Sequence, residues 1–147
     1  MPRLLIAQAA PEGYRAVLAL DRYLTDHLDG RLLDLVKLRA SQLNGCAYCV
    51  DLHAQHLLAR EVPLRTVLGV VTWRETPFFD DRERAALALT EEVTRITGGV
   101  SEDTWASAAA VFGERELADL VLAIGSINLQ NRMGVSTHLQ PPREVGA

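Results

Sequence analysis

Apolar residues recur at a helical period along most of this 147-residue chain. In the stretch PEGYRAVLALDRYLTDHL, residues 11–28, Tyr14, Val17 and Leu24 follow a period of about 3.6 residues, which places them on one helix face. No segment shows sustained alternation of apolar and polar residues with turn signals at hairpin spacing. The sequence therefore predicts an all-α fold, a compact bundle of six or seven helices.

Signals for helix ends divide the chain into these helices. Pro11 suits a first helical turn, and Asn44-Gly45 is a typical C-cap pair. Asp80 is a candidate N-cap with Glu83 at the capping-box position. The predicted helices are 11–28, 31–44, 47–60, 63–71, 81–97, 102–113 and 114–134, before a tail at 140–147 that we expect to be frayed. We expect a single domain over residues 1–147 with its core at about 14–139.

Composition and charge narrow the classes of partner. The chain has 15 Lys and Arg against 19 Asp and Glu, a net charge of -4, and no basic cluster that would bind nucleic acid. The apolar run LLIAQAA, residues 4–10, is too short to cross a membrane and lacks the layout of a signal peptide. We therefore expect a cytoplasmic protein with reduced thiols, which binds neither nucleic acid nor membranes.

Both cysteines of the chain lie in the segment NGCAYCVDLHAQH, residues 44–56. On a helix that begins near Ala47, Cys46, Cys49 and His53 share one face, and the imidazole lies one turn after Cys49. The helix N-terminus and the imidazole both favour a thiolate at Cys49. Such a thiolate can attack a peroxide or a disulfide, and Cys46 lies within reach to resolve the oxidised sulfur.

Other interpretations of the same segment remain open at this point. The two cysteines can be small buried hydrophobic residues, or they can bind a metal in a compressed Cys2His2 set with His53 and His56. Structural zinc sites usually draw their ligand pairs from separate elements across a longer gap, which favours dithiol chemistry over metal. We interpret His56 as a solvated helix residue. The βαβ context that would indicate a thioredoxin-like motif is absent from the predicted helices.

The chain resembles the alkylhydroperoxidase D-like proteins of the carboxymuconolactone decarboxylase superfamily. The segment LLDLVKLRASQLNGCAYCVDLHAQHLL is similar to their signature, and its Cys-x-x-Cys-x-x-x-His core is the specific part. The segments WRETPFFDDRERAALALTEEVT and LAIGSINLQNRMGV resemble later parts of these proteins. The resemblance covers about residues 14–139.

This resemblance implies an all-helical, homo-oligomeric protein, commonly a trimer or hexamer, with a peroxide-reducing dithiol. By position, Cys49 is the peroxidatic cysteine, Cys46 the resolving cysteine and His53 the proton relay. The distal acid of the family lies twelve residues before the first cysteine, and Asp34 occupies that position where Glu is usual. Because aspartate is one methylene shorter, we expect a water molecule to mediate its contact with the histidine. Tyr48 stands where some relatives carry a histidine, so we expect no relay through that position.

The sequence thus predicts a thiol-dependent peroxidase that reduces alkyl or hydrogen peroxides and needs no metal or organic cofactor. An external dithiol, thioredoxin-like or lipoyl-type, would regenerate the enzyme. One alternative is a redox-sensing or interaction module in which the disulfide changes assembly. A decarboxylase, the activity in the superfamily name, is a weaker alternative because that chemistry does not need a vicinal dithiol.

Overall fold

A computed structural model describes residues 1–144 of the chain, and these residues form an all-α structure without strands. This confirms the predicted fold class. The described residues contain eight α-helices: α1 Ile6–Ala9, α2 Pro11–His27, α3 Gly30–Asn44, α4 Ala47–Ala59, α5 Leu64–Gly69, α6 Asp81–Thr94, α7 Glu102–Val111 and α8 Glu114–Thr137. Two 3₁₀ segments, Val70–Glu75 and Ile96–Gly98, follow α5 and α6. The helix beyond the predicted six or seven is α1, which has only four residues and therefore shows no periodicity.

The caps explain why most predicted helix ends are correct. Pro11 occupies the first turn of α2, and Gly45 ends α3 in the left-handed conformation with φ of 69°. Asp80 and Glu83 form the predicted capping box of α6. The end of α6 differs from the prediction: the helix stops at Thr94, and a 3₁₀ turn then leads to Gly99.

Helix α3 is the centre of the fold, and it packs against α4, α6 and α8. One apolar cluster joins α3 to α6 and α8 through Val36, Leu89 and Ile124, none of which is exposed. A second cluster joins α3 to α4 and α6 through Leu35, Leu57 and Leu87. Residues on α3 therefore lie beside both helices that build the site described below.

The region after α8 is only partly described. Residues 140–144 have no regular secondary structure, and residues 145–147 of the predicted frayed tail lie outside the described residues. None of the helices in residues 1–144 combines the length and the apolar character that a membrane span needs.

Candidate active site

The two cysteines lie at the first turn of α4, because Gly45 lets the chain leave α3 and enter α4 within two residues. Cys46 is the N-cap of α4, and its sulfur accepts a hydrogen bond from the backbone N–H of Cys49 at 3.4 Å. A disulfide joins Cys46 to Cys49, and their Cα atoms are 5.3 Å apart. The dithiol is therefore present in its oxidised form.

A cavity of about 240 Å³ reaches this disulfide from one side. It lies between the N-terminal segment and helices α2, α4 and α8, and its lining includes Tyr48, Cys49 and His53. Cys49 is 4% exposed and Cys46 only 1% exposed. Since Cys49 lines the cavity and Cys46 lies behind it, a molecule that enters the cavity meets the sulfur of Cys49 first.

Gly134 of α8 packs against Cys46 and also lines the cavity. A Cβ atom at this position would lie 2.9 Å from the sulfur of Cys46 and 3.8 Å from that of Cys49. Any side chain larger than hydrogen would therefore push against the first sulfur. Gly134 is not among the site residues predicted from the sequence, although a glycine inside a helical pattern is a signal of close approach.

His53 and Asp34 form a buried pair next to the cysteines. His53 is 3% and Asp34 4% exposed, and Nδ1 of His53 lies 3.3 Å from Oδ1 of Asp34. The expectation that water mediates this contact is wrong. The shorter aspartate side chain reaches the histidine directly because α3 and α4 approach closely. The four residues predicted from sequence, Asp34, Cys46, Cys49 and His53, are thus brought together.

Two further residues of α4 and its C-cap bind the same carboxylate. Nδ1 of His56 lies 3.3 Å from Oδ1 of Asp34, and Nε of Arg60 donates a hydrogen bond to Oδ2 at 2.9 Å. The interpretation of His56 as merely solvated is incomplete, since its half-exposed ring also contacts Asp34. Gly30 makes room for Arg60, because a Cβ there would overlap the guanidinium group. The spacing of His53, His56 and Arg60 places all three on one face, a signal that sequence reasoning missed.

These contacts fix the ionisation of the pair. Burial raises the pKa of Asp34, but hydrogen bonds from His53 and Arg60 outweigh burial and hold this pKa below its ordinary value. Burial is the largest effect on the pKa of His53 and lowers it; Asp34 offsets this in part, while the charge of Lys37 adds to it. Lys37 is itself buried and ion-paired with Asp21 of α2. An ionised Asp34 therefore faces a neutral His53 at neutral pH.

The proton on His53 can be assigned from this arrangement. An ionised carboxylate only accepts hydrogen bonds, so neutral His53 carries its proton on Nδ1, toward Asp34. The other ring nitrogen, Nε2, then holds a lone pair. Among the buried side-chain nitrogen and oxygen atoms of residues 1–144, Nε2 of His53 alone has no hydrogen-bond partner. His53 is thus an unused base in the wall of the cavity that Cys49 also lines.

The side chains of Asp34, His53 and His56 could also hold a metal ion, because their donor atoms lie within 4.8 Å of one another. This set differs from the Cys2His2 set considered from sequence, in which both cysteines would be thiolate ligands. The geometry favours an ion pair over a metal centre, since Arg60 already neutralises Asp34 and would repel a cation. Acid–base chemistry next to a dithiol is the function that this cluster serves best.

Comparison with known proteins agrees with this fold. The sequence model of the carboxymuconolactone decarboxylase family matches residues 9–92. The chain belongs to the carboxymuconolactone decarboxylase family. It is 30% identical over 136 residues to the uncharacterised protein YdfG of Bacillus subtilis (strain 168), covering 91% of this chain and 92% of that protein.

Solved structures place the chain among AhpD-like members of this family. A protein of unknown function from Agrobacterium tumefaciens, proposed to be the antioxidant defence protein AhpD, is 36% identical and superposes with a TM-score of 0.94 over 98% of this chain and 100% of its own. A debrominase in complex with 2,3,4-tribromopyrrole has the same fold, with a TM-score of 0.80 and 17% identity over 92% of this chain and 74% of its own. Because a fold does not determine an activity, the activity has to be argued from the site.

Proposed function

We propose that the protein is a thiol-dependent peroxidase that reduces alkyl or hydrogen peroxides through a Cys46–Cys49 dithiol and disulfide cycle. One observation carries this proposal: Cys49 and His53 line the same cavity, and Nε2 of His53 has no partner there. A nucleophile needs a base to take its proton, and a peroxidase needs that pair in a place which a peroxide can enter.

The first step is activation of Cys49 in the reduced enzyme. Nε2 of His53 accepts the thiol proton, which leaves a thiolate at Cys49 and an imidazolium at His53. The positive end of the α4 dipole stabilises this thiolate, because Cys49 lies in the first turn of the helix. Asp34 stabilises the imidazolium through its contact with Nδ1.

The second step reduces the peroxide. The thiolate of Cys49 attacks one peroxide oxygen, an S–O bond forms and the O–O bond breaks. The departing oxygen takes the proton from His53 and leaves as an alcohol, or as water when the substrate is hydrogen peroxide. Cys49 is oxidised to a sulfenic acid, and the peroxide is reduced by two electrons.

The third step forms the disulfide. The thiol of Cys46 attacks the sulfur of Cys49, an S–S bond forms, the S–O bond breaks and the oxygen leaves as water with the proton from Cys46. An external dithiol, thioredoxin-like or lipoyl-type, then returns two electrons and two protons. Because both cysteines are at most 4% exposed, the reducing thiol has to enter the cavity.

Asp34 acts in this scheme as a positioning residue. It holds the proton of neutral His53 on Nδ1 and therefore keeps Nε2 free to act as the base. Arg60 and His56 keep the carboxylate ionised and fixed in place. The Asp, His and Cys roles correspond to the acid, base and nucleophile of a catalytic triad.

The assembly and cellular location are further parts of the proposal. Large apolar side chains remain 43–66% exposed in the segment that contains the end of α4, α5 and the following turn: Leu58, Leu64, Leu68 and Val71. Such a surface supports a homo-oligomer, a trimer or hexamer, which light scattering would measure. The cytoplasmic location stays a prediction from the sequence.

Peroxide consumption by the purified protein tests this function. With dihydrolipoamide or reduced thioredoxin in excess, we expect many turnovers per chain, and none with Cys49→Ser. A single stoichiometric oxidation that then stops with every reductant would instead support the redox-sensing module.

A further inference from the structure

The N-terminal segment of the chain forms one wall of the cavity above Cys49. Leu4, Leu5, Ile6 and Ala7 all line this cavity. This segment precedes residues 9–92, the part of the chain that the family model matches. The wall is therefore built from residues outside the region that carries the dithiol signature.

Arg3 fastens this segment to the end of α8. The backbone N–H of Arg3 donates to the carbonyl of Thr137 at 2.7 Å, and its guanidinium donates to the carbonyl of Ser136 at 3.2 Å. A cation at a helix C-terminus is favourable, because the last carbonyl groups there have no partner within the helix. The segment is thus held against α8 at a defined position although Leu4 and Leu5 are half-exposed.

The cavity behind this wall is mostly apolar. Val17 and Leu18 of α2, Leu52 of α4 and Met133 of α8 face the N-terminal residues across it. Two of its polar side chains already have partners: Gln130 donates to Asp21 and Ser126, and Thr137 donates to the carbonyl of Met133. Cys49 and His53, whose Nε2 has no hydrogen-bond partner, line the same cavity, so a ligand with an apolar body and one polar end matches this lining.

The volume limits the size of that ligand. At about 240 Å³ the cavity is smaller than the pockets of about 300–1,000 Å³ that hold drug-sized ligands. A branched alkyl group or a single aromatic ring fits this space better than a long chain. A very small polar molecule would leave most of the apolar lining without contacts.

We propose that residues 4–7, held in place by Arg3, form the specificity-determining wall of the site and select compact apolar organic molecules over small polar ones. The apolar body contacts Leu4, Leu5 and Ile6, and its polar end lies at Cys49 and His53. The inference rests on the proposed function in one respect, which is that the polar end is a hydroperoxide. Each methylene group buried against this wall raises kcat/KM about fourfold.

The first test compares substrates. We would measure kcat/KM for cumene hydroperoxide and for hydrogen peroxide, with wild type, with Leu5→Ser and with Leu122→Ser as the matched control. Leu122 is 46% exposed, close to the 39% of Leu5, and does not line the cavity. We expect wild type to favour cumene hydroperoxide and Leu5→Ser to lower the ratio of the two kcat/KM values about tenfold. An equal effect of Leu5→Ser on both substrates would overturn the inference, and Leu122→Ser should leave the ratio unchanged.

The second test does not need peroxidase activity. Cumyl alcohol, which has the same apolar body and cannot oxidise a thiol, should slow alkylation of Cys49 by iodoacetamide in the reduced Cys46→Ser protein. Adding Leu5→Ser should remove most of this protection, and glycerol should give none. Protection without peroxide turnover would contradict the proposed function but would support the inference that the wall binds apolar molecules. Turnover without protection, or protection that Leu5→Ser leaves intact, would contradict the inference about the wall and would leave the proposed function standing.

Discussion

Asp34, which is buried, and Glu91, which is partly buried, have nearly the same electrostatic surroundings and different chemical possibilities. Their side chains are 6% and 14% exposed, and each lies within hydrogen-bonding distance of three other side chains. Burial raises the pKa of both carboxyl groups, but their hydrogen bonds outweigh burial and hold each pKa below its ordinary value. Both carboxylates are therefore ionised at neutral pH.

The difference lies in the partners. Glu91 accepts hydrogen bonds from Trp73, Arg39 and Arg74, and none of these side chains exchanges a proton near neutral pH. Asp34 contacts two imidazoles, and the ring of His53 also lines the cavity with Cys49. A buried carboxylate becomes part of a candidate site through titratable partners and access to ligand, and burial or a pKa shift alone does not distinguish it.

The largest effect that distinguishes the two carboxylates is expected from Asp34→Asn, measured as peroxide turnover. The change keeps the shape of the side chain but removes its charge, so Nδ1 of His53 is no longer held as a donor to a carboxylate. We expect peroxide turnover to fall about 100-fold, within the range of general acid–base contributions. Removing Asp34 also removes an effect that raises the pKa of His53, so the acid limb of the pH–rate profile should move to lower pH.

The control for that variant is Glu91→Gln, which makes the same change in the other carboxylate. An unchanged pH–rate profile in Asp34→Asn, or an equal loss of turnover per folded molecule in Glu91→Gln, would remove the distinction between the two sites.

The second effect is on the free energy of unfolding. Here we expect the larger loss from the change at Glu91, whereas the larger loss of turnover comes from the change at Asp34. Glu91→Gln leaves Arg39 largely buried without its charged partner, so we expect the free energy of unfolding to fall by about 3 kcal/mol. Urea denaturation followed by circular dichroism measures this loss. The circular dichroism spectrum of the native variant should remain that of a helical protein. A loss below about 1 kcal/mol would show that Glu91 is no more than a surface carboxylate.

A smaller loss of stability is expected from Gly134→Ala, which tests the packing of α8 against the dithiol. The added methyl group would lie 2.9 Å from the sulfur of Cys46, and overpacking of this kind costs about 1–3 kcal/mol. We expect the oxidised protein to be destabilised and the disulfide to form more slowly. Gly125→Ala on the same helix is the control, because no atom lies within 4 Å of its added Cβ. Equal stability of the two variants would mean that Gly134 does not support the disulfide.

His53 should make a still smaller contribution, which is seen in how the free energy of unfolding depends on pH. Burial lowers its pKa below the ordinary value of 6.5, so the unfolded chain binds this proton more readily than the folded protein. The free energy of unfolding should therefore fall as pH decreases below about 6.5, and His53→Gln should reduce that fall. Asp34 does not interfere above pH 5, because the ordinary pKa of its carboxyl group is 3.8. A steeper fall in His53→Gln than in wild type would contradict the assignment of His53 as a buried neutral base.

Removal of metal ions should leave the fold unchanged. Protein purified without chelator should carry well below one zinc per chain and should keep its fold in EDTA. Stoichiometric zinc bound by Asp34, His53 and His56 would replace the acid–base interpretation with a metal centre.

The comparison also shows which parts of the site can be predicted from sequence. Cys46, Cys49 and His53 lie on one helix, so their arrangement follows from residue spacing alone. Asp34 came from the family resemblance, because its contact with His53 depends on how α3 and α4 pack. That packing also determines the contacts of Arg60. Glu91 gave no signal, since a glutamate within a charged helical segment is usually solvated.

The N-terminal wall was missed for a different reason. The run LLIAQAA has neither the length of a membrane span nor the layout of a signal peptide, and the four-residue helix α1 within it is too short to show a period. Its position depends on tertiary contacts, namely the hydrogen bonds between Arg3 and the end of α8. Short segments of this kind carry little local information about where they pack.

The central claim, that Cys49 attacks the peroxide and Cys46 resolves it, is tested most directly by trapping the sulfenic acid. Reduced Cys46→Ser and Cys49→Ser proteins would be treated with one equivalent of peroxide and dimedone, and the adducts located by mass spectrometry. We expect a dimedone adduct at Cys49 in Cys46→Ser, because the sulfenic acid there has no resolving thiol. Cys49→Ser should give little adduct at Cys46, which lies behind the cavity. An adduct at Cys46 together with an unlabelled Cys49 would contradict the account.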